Sequence, residues 1–359
     1  MKWRSLAILL FAEVAGMSLW FITAAVLPDL IGETALSPVR QAALSSGVQA
    51  GFVIGALVSA VLGLSDRFDP RRVFAIAATG AGLANGALLF VDVGGDLAIA
   101  ARVATGALLA GVYPVGMKIA VGWGQKDRGL LVSLLVGALT LGSALPHLMS
   151  WSGGADWRLT MGIGSAVAIS GGFLCLTVGL GPYHGRAARF EVRAIWQAWT
   201  NRRVRLAYAG YLGHMWELYA MWAWIGVATA VSYGATMARA DAIGLAKLTA
   251  FTAIAAGGLS SILAGFAADR IGKAEVAIAA MVVSGASAIL AAITFGGPAW
   301  LTFAVVVVWG SAIVPDSAQF SALVADASPP EIAGSLMTFQ TALGFLLTFG
   351  TVQVTPVLA

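Results

Sequence analysis

The sequence predicts an all-α integral membrane protein built from two related halves. Of its 359 residues, 59% are hydrophobic and only 11% are charged, whereas an ordinary soluble protein carries about 25% charged residues. The apolar residues form runs of about 20, which is the length that a helix needs to cross a bilayer. Short motifs in the first part of the chain return in the second part. Together these observations predict two six-helix pseudo-symmetric halves, with only eleven transmembrane helices present in this chain.

Eleven apolar runs are long enough to be transmembrane helices. They lie at 6–28, 42–64, 73–92, 97–121, 129–149, 160–181, 206–232, 246–267, 275–295, 299–323 and 333–357. An odd number of spans places the two ends of the chain on opposite sides of the membrane. Two complete halves would need a twelfth span, and we expect truncation of the sequence, with natural loss of that span as the alternative.

The basic residues predict which side of the membrane each loop faces. With a cytoplasmic N-terminus, the inner segments hold 16 of the 21 Lys and Arg residues, the outer segments hold 4, and Arg102 lies within a span. Loops rich in Lys and Arg stay on the cytoplasmic side. We therefore expect a multi-pass protein of a bacterial plasma (inner) membrane. We interpret the first run as a retained span because it carries Glu13 and exceeds the signal-peptide core of about 7–15 residues.

The longest inner connection divides the chain into an N-terminal half at 1–182, a linker at 183–205 and a C-terminal half at 206–359. Four apolar linker residues fall on one helical face: Val192, Ile195, Trp196 and Trp199. Arginines occupy the other positions around this face. The pattern indicates an amphipathic helix on the cytoplasmic membrane surface, or a linker helix that packs on the protein.

An internal repeat relates the two halves. The segment Glu13–Trp20 and the segment Glu217–Trp224 both read Glu-x-x-small-Met-x-x-Trp, at an offset of 217 − 13 = 204 residues. Pro114 in span four and Pro315 in span ten repeat at 315 − 114 = 201 residues. Two Asp-Arg turns, described below, repeat at a similar offset. Three matches at nearly one offset predict a duplication.

Four charged residues interrupt the apolar spans: Glu13, Arg102, Glu217 and Asp316. They fall in spans one, four, seven and ten, which are the first and fourth spans of each half. A charge at mid-bilayer costs at least about 2.5–3.5 kcal/mol, so such residues normally face a bundle interior or a water-filled cavity. We expect a central polar cavity in which these residues bind a substrate or protons. Structural ion pairs and hydrogen-bonded acids are the alternatives.

Other residues are weaker candidates for the same cavity. His214 lies three residues before Glu217 and shares its helical face, so the two could relay protons; a buried, hydrogen-bonded histidine is the alternative. Trp20, Tyr113 and Trp224 are candidates for the cavity wall, although membrane aromatics also serve as packing or as an interfacial belt.

Two Asp-Arg turns lie between apolar runs, and the second has five notable residues: Gly265, Asp269, Arg270, Gly272 and Lys273. This turn resembles the motif Gly-x-x-x-Asp-Arg-x-Gly-Arg/Lys of the major facilitator superfamily of secondary transporters. The first turn departs from the motif but keeps three of its residues: Asp66, Arg67 and Arg71.

The resemblance implies a major facilitator fold in which spans one, four, seven and ten line a central cavity. It also implies a cytoplasmic gate, because the turn aspartate of that family faces the partly positive N-terminus of a span in the other half. Asp66 would then meet Glu331–Gly334, and Asp269 would meet Arg128–Gly129. The alternative is that the basic turns only fix the topology.

The sequence therefore predicts a secondary transporter that moves a small solute by alternating access, with protons as the expected coupling ion. The alternatives are a drug or metabolite efflux antiporter, and a transport-inactive membrane sensor or scaffold of the same fold. We expect a monomer whose partners are a small-molecule solute, protons and the lipid bilayer, with no nucleic acid. The residues suggest no enzyme activity, no cofactor and no metal, because the three histidines and one cysteine are scattered.

Overall fold

The structure is a computed structural model that describes residues 1–124, 128–153, 156–185 and 195–358. The described residues form helices and no strands. In chain order these are α1 (Lys2–Met17), α2 (Ile22–Glu33), α3 (Pro38–Leu62), α4 (Leu64–Arg67), α5 (Pro70–Gly86), α6 (Asp96–Leu109), α7 (Tyr113–Val121), α8 (Arg128–Ser152), α9 (Trp157–Cys175), α10 (Ile195–Thr200), α11 (Arg202–Gly234), α12 (Arg239–Ile271), α13 (Lys273–Ile293), α14 (Ala299–Ile313), α15 (Pro315–Asp326) and α16 (Pro330–Leu358).

These helices form the eleven predicted spans. Ten of the spans within the described residues are long and apolar enough to cross a bilayer. The remaining span, α11, has 33 residues and contains polar aromatic residues, three arginines, His214 and Glu217 among its aliphatic residues. The short helices α4 and α10 lie in the connections. The prediction of an all-α multi-span membrane protein is confirmed, and ten of its eleven predicted spans meet the length and hydropathy of a membrane span within the described residues.

Three spans are broken into two helices each. Span one consists of α1 and α2, span four of α6 and α7, and span ten of α14 and α15. Pro114 and Pro315 stand in the first turn of α7 and α15, where a proline costs no hydrogen bond because the first amide groups of a helix have no helical acceptor. The repeated prolines therefore mark equivalent breaks in the two halves.

Small residues allow close packing inside the first half. Along the contact between α3 and α6, a Cβ atom added at Gly51, Gly55 or Gly106 would collide with backbone atoms of the other helix. Glycine at these positions lets the two backbones approach each other. Between the halves, α2 packs on α11, α3 on α16 and α8 on α12. These three contacts frame the space in which the candidate site lies.

The predicted linker falls partly on residues 186–194, which lie outside the described part of the chain, as does Val192. In α10, Trp196 and Trp199 are 71% and 57% exposed. Ala198 is buried with residues of α11 and α16, so α10 rests on the protein and turns both tryptophans outward. The boundaries of the linker and of the two halves stay predictions.

Candidate functional site

A cavity of about 700 Å³ lies between the two halves. Helices α7 and α8 line it from the first half, and α11, α12, the start of α13, α15 and α16 line it from the second. Six aromatic residues contribute to its wall: Tyr113, Tyr211, Tyr219, Trp222, Phe266 and Phe345. The cavity reaches the surface beside the second Asp-Arg turn, where the exposed residues Leu130, Phe266 and Asp269 line it. We call this end of the molecule the basic end.

The other end of the cavity is closed by an aromatic plug, which consists of Trp20, Phe21, Phe52, Tyr219, Trp222 and Phe345. The first three residues come from the first half and the last three from the second. The ring centroids of Phe52 and Phe345 are 4.6 Å apart, and those of Trp20 and Phe345 are 5.5 Å apart. These distances are those of well-packed aromatic pairs, so the plug closes this end of the cavity. The cavity is then open at the basic end alone among the residues that the structure describes.

A buried ion pair joins the halves beyond the plug. Lys247 Nζ in α12 lies 2.7 Å from Asp29 Oδ2 in α2 and donates to the Ser150 carbonyl of α8 over 3.2 Å. At the same end, Gln353 Nε2 in α16 donates to Ser46 Oγ in α3 over 2.7 Å. We call this the opposite end. The sequence analysis did not identify this pair. The available signal was that Asp29 and Lys247 lie at the ends of apolar runs.

Glu13 is completely buried but does not line the cavity. Neither carboxylate oxygen has a hydrogen-bond partner among the described residues. The carboxylate lies against Gly116 of α7, where an added Cβ would collide with Oε2. Glycine at this position therefore makes room for an acid that has no hydrogen-bond donor in the part of the chain that the structure describes.

Glu217, the repeat equivalent of Glu13, has two donors. Trp309 Nε1 in α14 donates to Oε1 over 2.8 Å, and Ser284 Oγ in α13 donates to Oε2 over 3.2 Å. Glu13 likewise points toward the third and fourth spans of its own half, because Phe74 of α5 also lies near the Cβ position of Gly116. The two acids therefore keep equivalent places and differ in their hydrogen bonding.

Arg102 is fully buried and supports the break in span one. Its Nη2 donates to the carbonyls of Leu19 and Trp20 over 3.1 and 3.0 Å, and its Nη1 donates to Asn85 Oδ1 over 2.8 Å. The break leaves both carbonyls without a helical donor. The guanidinium replaces that donor, and it does not line the cavity.

His214 contacts Asp316, whereas the sequence suggested Glu217, three residues along the same helix, as its partner. The Nδ1 atom of His214 is 2.7 Å from Asp316 Oδ1, and both side chains are buried. The two atoms are close but do not have the geometry of a regular hydrogen bond, so we describe the pair as a close polar contact. The Glu217 carboxylate instead accepts hydrogen bonds from Ser284 of α13 and Trp309 of α14. The pair lies directly behind the cavity wall, because Ser317 and Gln319 line the cavity.

The predicted aromatic residues have three different places. Tyr113 lines the cavity. Trp20 belongs to the plug, with its ring 4.8 Å from that of Phe52. Trp224 does not line the cavity; its Nε1 donates to the Val352 carbonyl over 3.1 Å.

The second Asp-Arg turn lies at the cavity mouth. Gly265, Asp269 and Lys273 line the cavity, and Arg270 is exposed. Gly272 has a φ of +106°, a conformation that glycine adopts without strain. Lys273 Nζ lies 2.5 Å from Asp326 Oδ2 at the end of α15. These contacts stay inside the second half.

The first turn is bonded within the first half. Arg71 Nη2 lies 2.6 Å from Asp69 Oδ2, and Nη1 donates to the Val178 carbonyl over 3.3 Å. The hydrogen bonds from Arg71 hold the pKa of the Asp69 carboxyl below its usual value. Arg67 is exposed. The side chains of Asp66, Arg128–Gly129 and Glu331 lie outside the described part of the structure, so both predicted gate contacts stay predictions.

Comparison with known proteins identifies the family. The model of the Major Facilitator Superfamily matches residues 8–351. The chain belongs to this superfamily. Its multi-pass membrane fold is therefore that of a major facilitator. A separate search of curated proteins finds no match to the chain.

Solved transporters share this major facilitator fold. A bacterial homologue of the human lysosomal transporter Spinster, in an inward-facing and unoccupied conformation, is 14% identical, with 97% of this chain and 81% of that chain covered and a TM-score of 0.76. A mutant of the nucleoside transporter NupG is 15% identical, with 99% and 90% covered and a TM-score of 0.76. The inward open xylose transporter XylE from E. coli is 16% identical, with 98% and 90% covered and a TM-score of 0.70. At such identities the likeness shows the fold alone.

Proposed function

We propose that this major facilitator is a secondary transporter that moves a small solute by alternating access. The supporting observation is the cavity between the halves, which reaches the surface at the basic end and is closed at the other end by contacts between the halves. Transporters of this type rock their two halves around a site near the midplane. The second state would separate the plug and the Asp29–Lys247 pair, and would bring α8 and α12 together at the basic end.

The basic residues support a cytoplasmic basic end, because Lys and Arg stay on that side of a membrane. The described conformation is then open to the cytoplasm, and the opposite end faces outward. We place the protein in a bacterial inner membrane with a cytoplasmic N-terminus.

We propose protons as the coupling ion. Glu13 is the first candidate because its carboxylate is buried with no hydrogen-bond donor among the described residues, and protonation removes the cost of burying its charge. The His214–Asp316 contact behind the cavity wall is a second proton site. A neighbour with this fold is named a D-xylose-proton symporter, which makes the proton the first ion to test.

The test uses purified protein in vesicles that contain a pH-sensitive dye, with sugars, nucleosides, amino acids, organic anions and cationic drugs as solutes. We expect one class to drive a proton flux. Glu13→Gln removes the titratable group and should lower this flux at least about tenfold, because one proton site is lost. Glu33→Gln is the control, since this carboxylate is exposed and an amide oxygen still accepts from Trp157 and Arg158, and it should keep most of the flux.

Two results would contradict the proposal. Solute uptake that ignores the pH gradient and survives Glu13→Gln removes the proton from the mechanism but leaves transport intact. Absence of uptake and of solute exchange with every class, from protein that unfolds cooperatively on heating, removes the transport function itself and favours the sensor or scaffold.

A further inference from the structure

We infer that the cavity binds a neutral, ring-containing solute that carries hydrogen-bond acceptors, rather than an inorganic or organic ion. This inference rests on the proposed transport function and names its substrate class. It depends on the charges of the cavity wall, on the aromatic rings in it and on one buried indole N–H group.

The cavity wall carries few charges. Among the described lining residues, the charged ones are Asp269 and Lys273, and Asp269 is exposed at the mouth. None of the four intramembrane charges lines the cavity. Glu13 is buried, Arg102 and Glu217 are bonded elsewhere, and Asp316 contacts His214 behind the wall. An ion that moved past the mouth would therefore lose its hydration without gaining a counter-charge, which is unfavourable.

The aromatic wall suits a ring. Tyr113 contributes from the first half, and Tyr211, Tyr219 and Trp222 contribute from the second. Aromatic rings stack on flat solutes and on the C–H faces of saturated rings, with large apolar contact areas. The volume of about 700 Å³ falls within the range of about 300–1,000 Å³ that is typical of small-molecule sites.

The indole of Trp222 points to a hydrogen-bond acceptor on the solute. Trp222 lines the cavity, is 1% exposed, and its Nε1 has no acceptor among the described residues. A buried N–H group without an acceptor is unfavourable. The Nε1 atom is closed to solvent in the described conformation, so a carbonyl, ether or hydroxyl oxygen of a solute would satisfy it after a shift of the neighbouring side chains. Thr140, Gln319 and Thr341 also line the cavity and supply further polar contacts.

Trp20 provides a matched control in the same plug. Its Nε1 is also buried without an acceptor among the described residues, and its ring packs on Phe52 and Phe345. Trp20 does not line the cavity. Replacing either tryptophan by phenylalanine removes one N–H group and keeps an aromatic ring, so only Trp222→Phe should affect a solute in the cavity.

The experiment measures equilibrium binding of radiolabelled probes to the purified full chain in detergent. The probes are xylose, uridine and indole as neutral ring compounds, benzoate and succinate as anions, and tetraphenylphosphonium as a cation. We expect at least one neutral ring compound to bind more tightly than every ion. Trp222→Phe should weaken that binding several-fold, up to about tenfold for one hydrogen bond, whereas Trp20→Phe should change it less than about twofold.

The outcomes separate the substrate class from the transport function. Tighter binding of any ion, no binding of any neutral ring compound, or equal affinity for wild type and a folded Trp222→Phe would overturn the inference. Vesicle transport of an ion would overturn the substrate class and leave transport in place. Binding of a neutral ring compound without vesicle transport of any probe would support the class and remove the transport function.

Discussion

The two ends of the molecule are held together in different ways. At the opposite end, bonds cross from one half to the other: Asp29 pairs with Lys247, and Gln353 bonds Ser46. At the basic end, the side-chain bonds that the structure describes for the two turns stay inside one half each, from Arg71 to Asp69 and from Lys273 to Asp326.

This difference indicates how the described state is stabilised. Bonds between the halves resist separation and hold the opposite end closed, whereas the bonds described for the two turns at the basic end do not join the halves. The solvent exposure differs as well. The side chains of Asp29 and Lys247 are 3% and 4% exposed, whereas those of Lys273 and Asp326 are 34% and 58% exposed. Substitutions at the two ends should therefore differ in size and in kind.

The largest effect is expected at the buried pair. Lys247→Met leaves the Asp29 carboxylate buried without its cation, and removing one partner of such a pair costs about 3–5 kcal/mol. We expect a lower midpoint of thermal unfolding in detergent. We also expect faster labelling of Ser46→Cys by a membrane-impermeant maleimide from the opposite end, measured with Cys175→Ala as background.

The double variant Asp29→Leu/Lys247→Met is the control for this prediction. It removes both charges and should recover most of the lost stability, because two apolar side chains replace a buried pair without a large penalty. Labelling of Ser46→Cys should stay fast in the double variant, since the bond between the halves is still missing. A double variant no more stable than Lys247→Met would contradict this account of the opposite end.

The salt bridge at the second turn should matter much less. Lys273→Ala breaks the contact with Asp326 at the basic end, and an exposed ion pair contributes about 0–1 kcal/mol. We expect a small fall in the unfolding midpoint and no change in the labelling of Ser46→Cys, because this bond does not join the halves. A double-mutant cycle with Asp326→Ala measures the pair. Increased labelling would mean that the second turn also holds the opposite end closed.

The spans could be predicted from the sequence, whereas the partners of the charges within them could not. Apolar length and the positions of Arg and Lys determine where a helix enters and leaves the membrane. The breaks in spans four and ten follow from Pro114 and Pro315. Span one breaks between α1 and α2 without a proline at the break, so nothing local indicated that Arg102 would bond the carbonyls there.

Pairing also depends on how each helix is rotated about its axis. His214 and Glu217 share a helical face by spacing, yet His214 contacts Asp316 and Glu217 bonds Trp309 and Ser284. The packing of α11 against α13, α14 and α15 decides which neighbour each side chain meets. A single sequence carries no measure of that rotation. For the same reason, the sequence marked Asp29 and Lys247 as charges near the ends of apolar spans but did not show that they pair.

The smallest effect is expected at the first turn, and it depends on pH. Asp69 accepts bonds from the backbone and the guanidinium of Arg71, which lower the pKa of its carboxyl. The charged carboxylate therefore stabilises the fold above its unfolded pKa of about 3.9, and this contribution is lost as the pH falls through the lower folded value.

Asp69→Asn keeps the helix N-cap, because Asn and Asp cap about equally well, and removes only the charge. We expect Asp69→Asn to lower the free energy of unfolding by less than about 1 kcal/mol at pH 7. This difference should shrink toward zero as the medium is acidified, and thermal unfolding in detergent measures it. An equal loss at pH 7 and at pH 3 would show that Asp69 acts at the basic end through its shape and not through its charge.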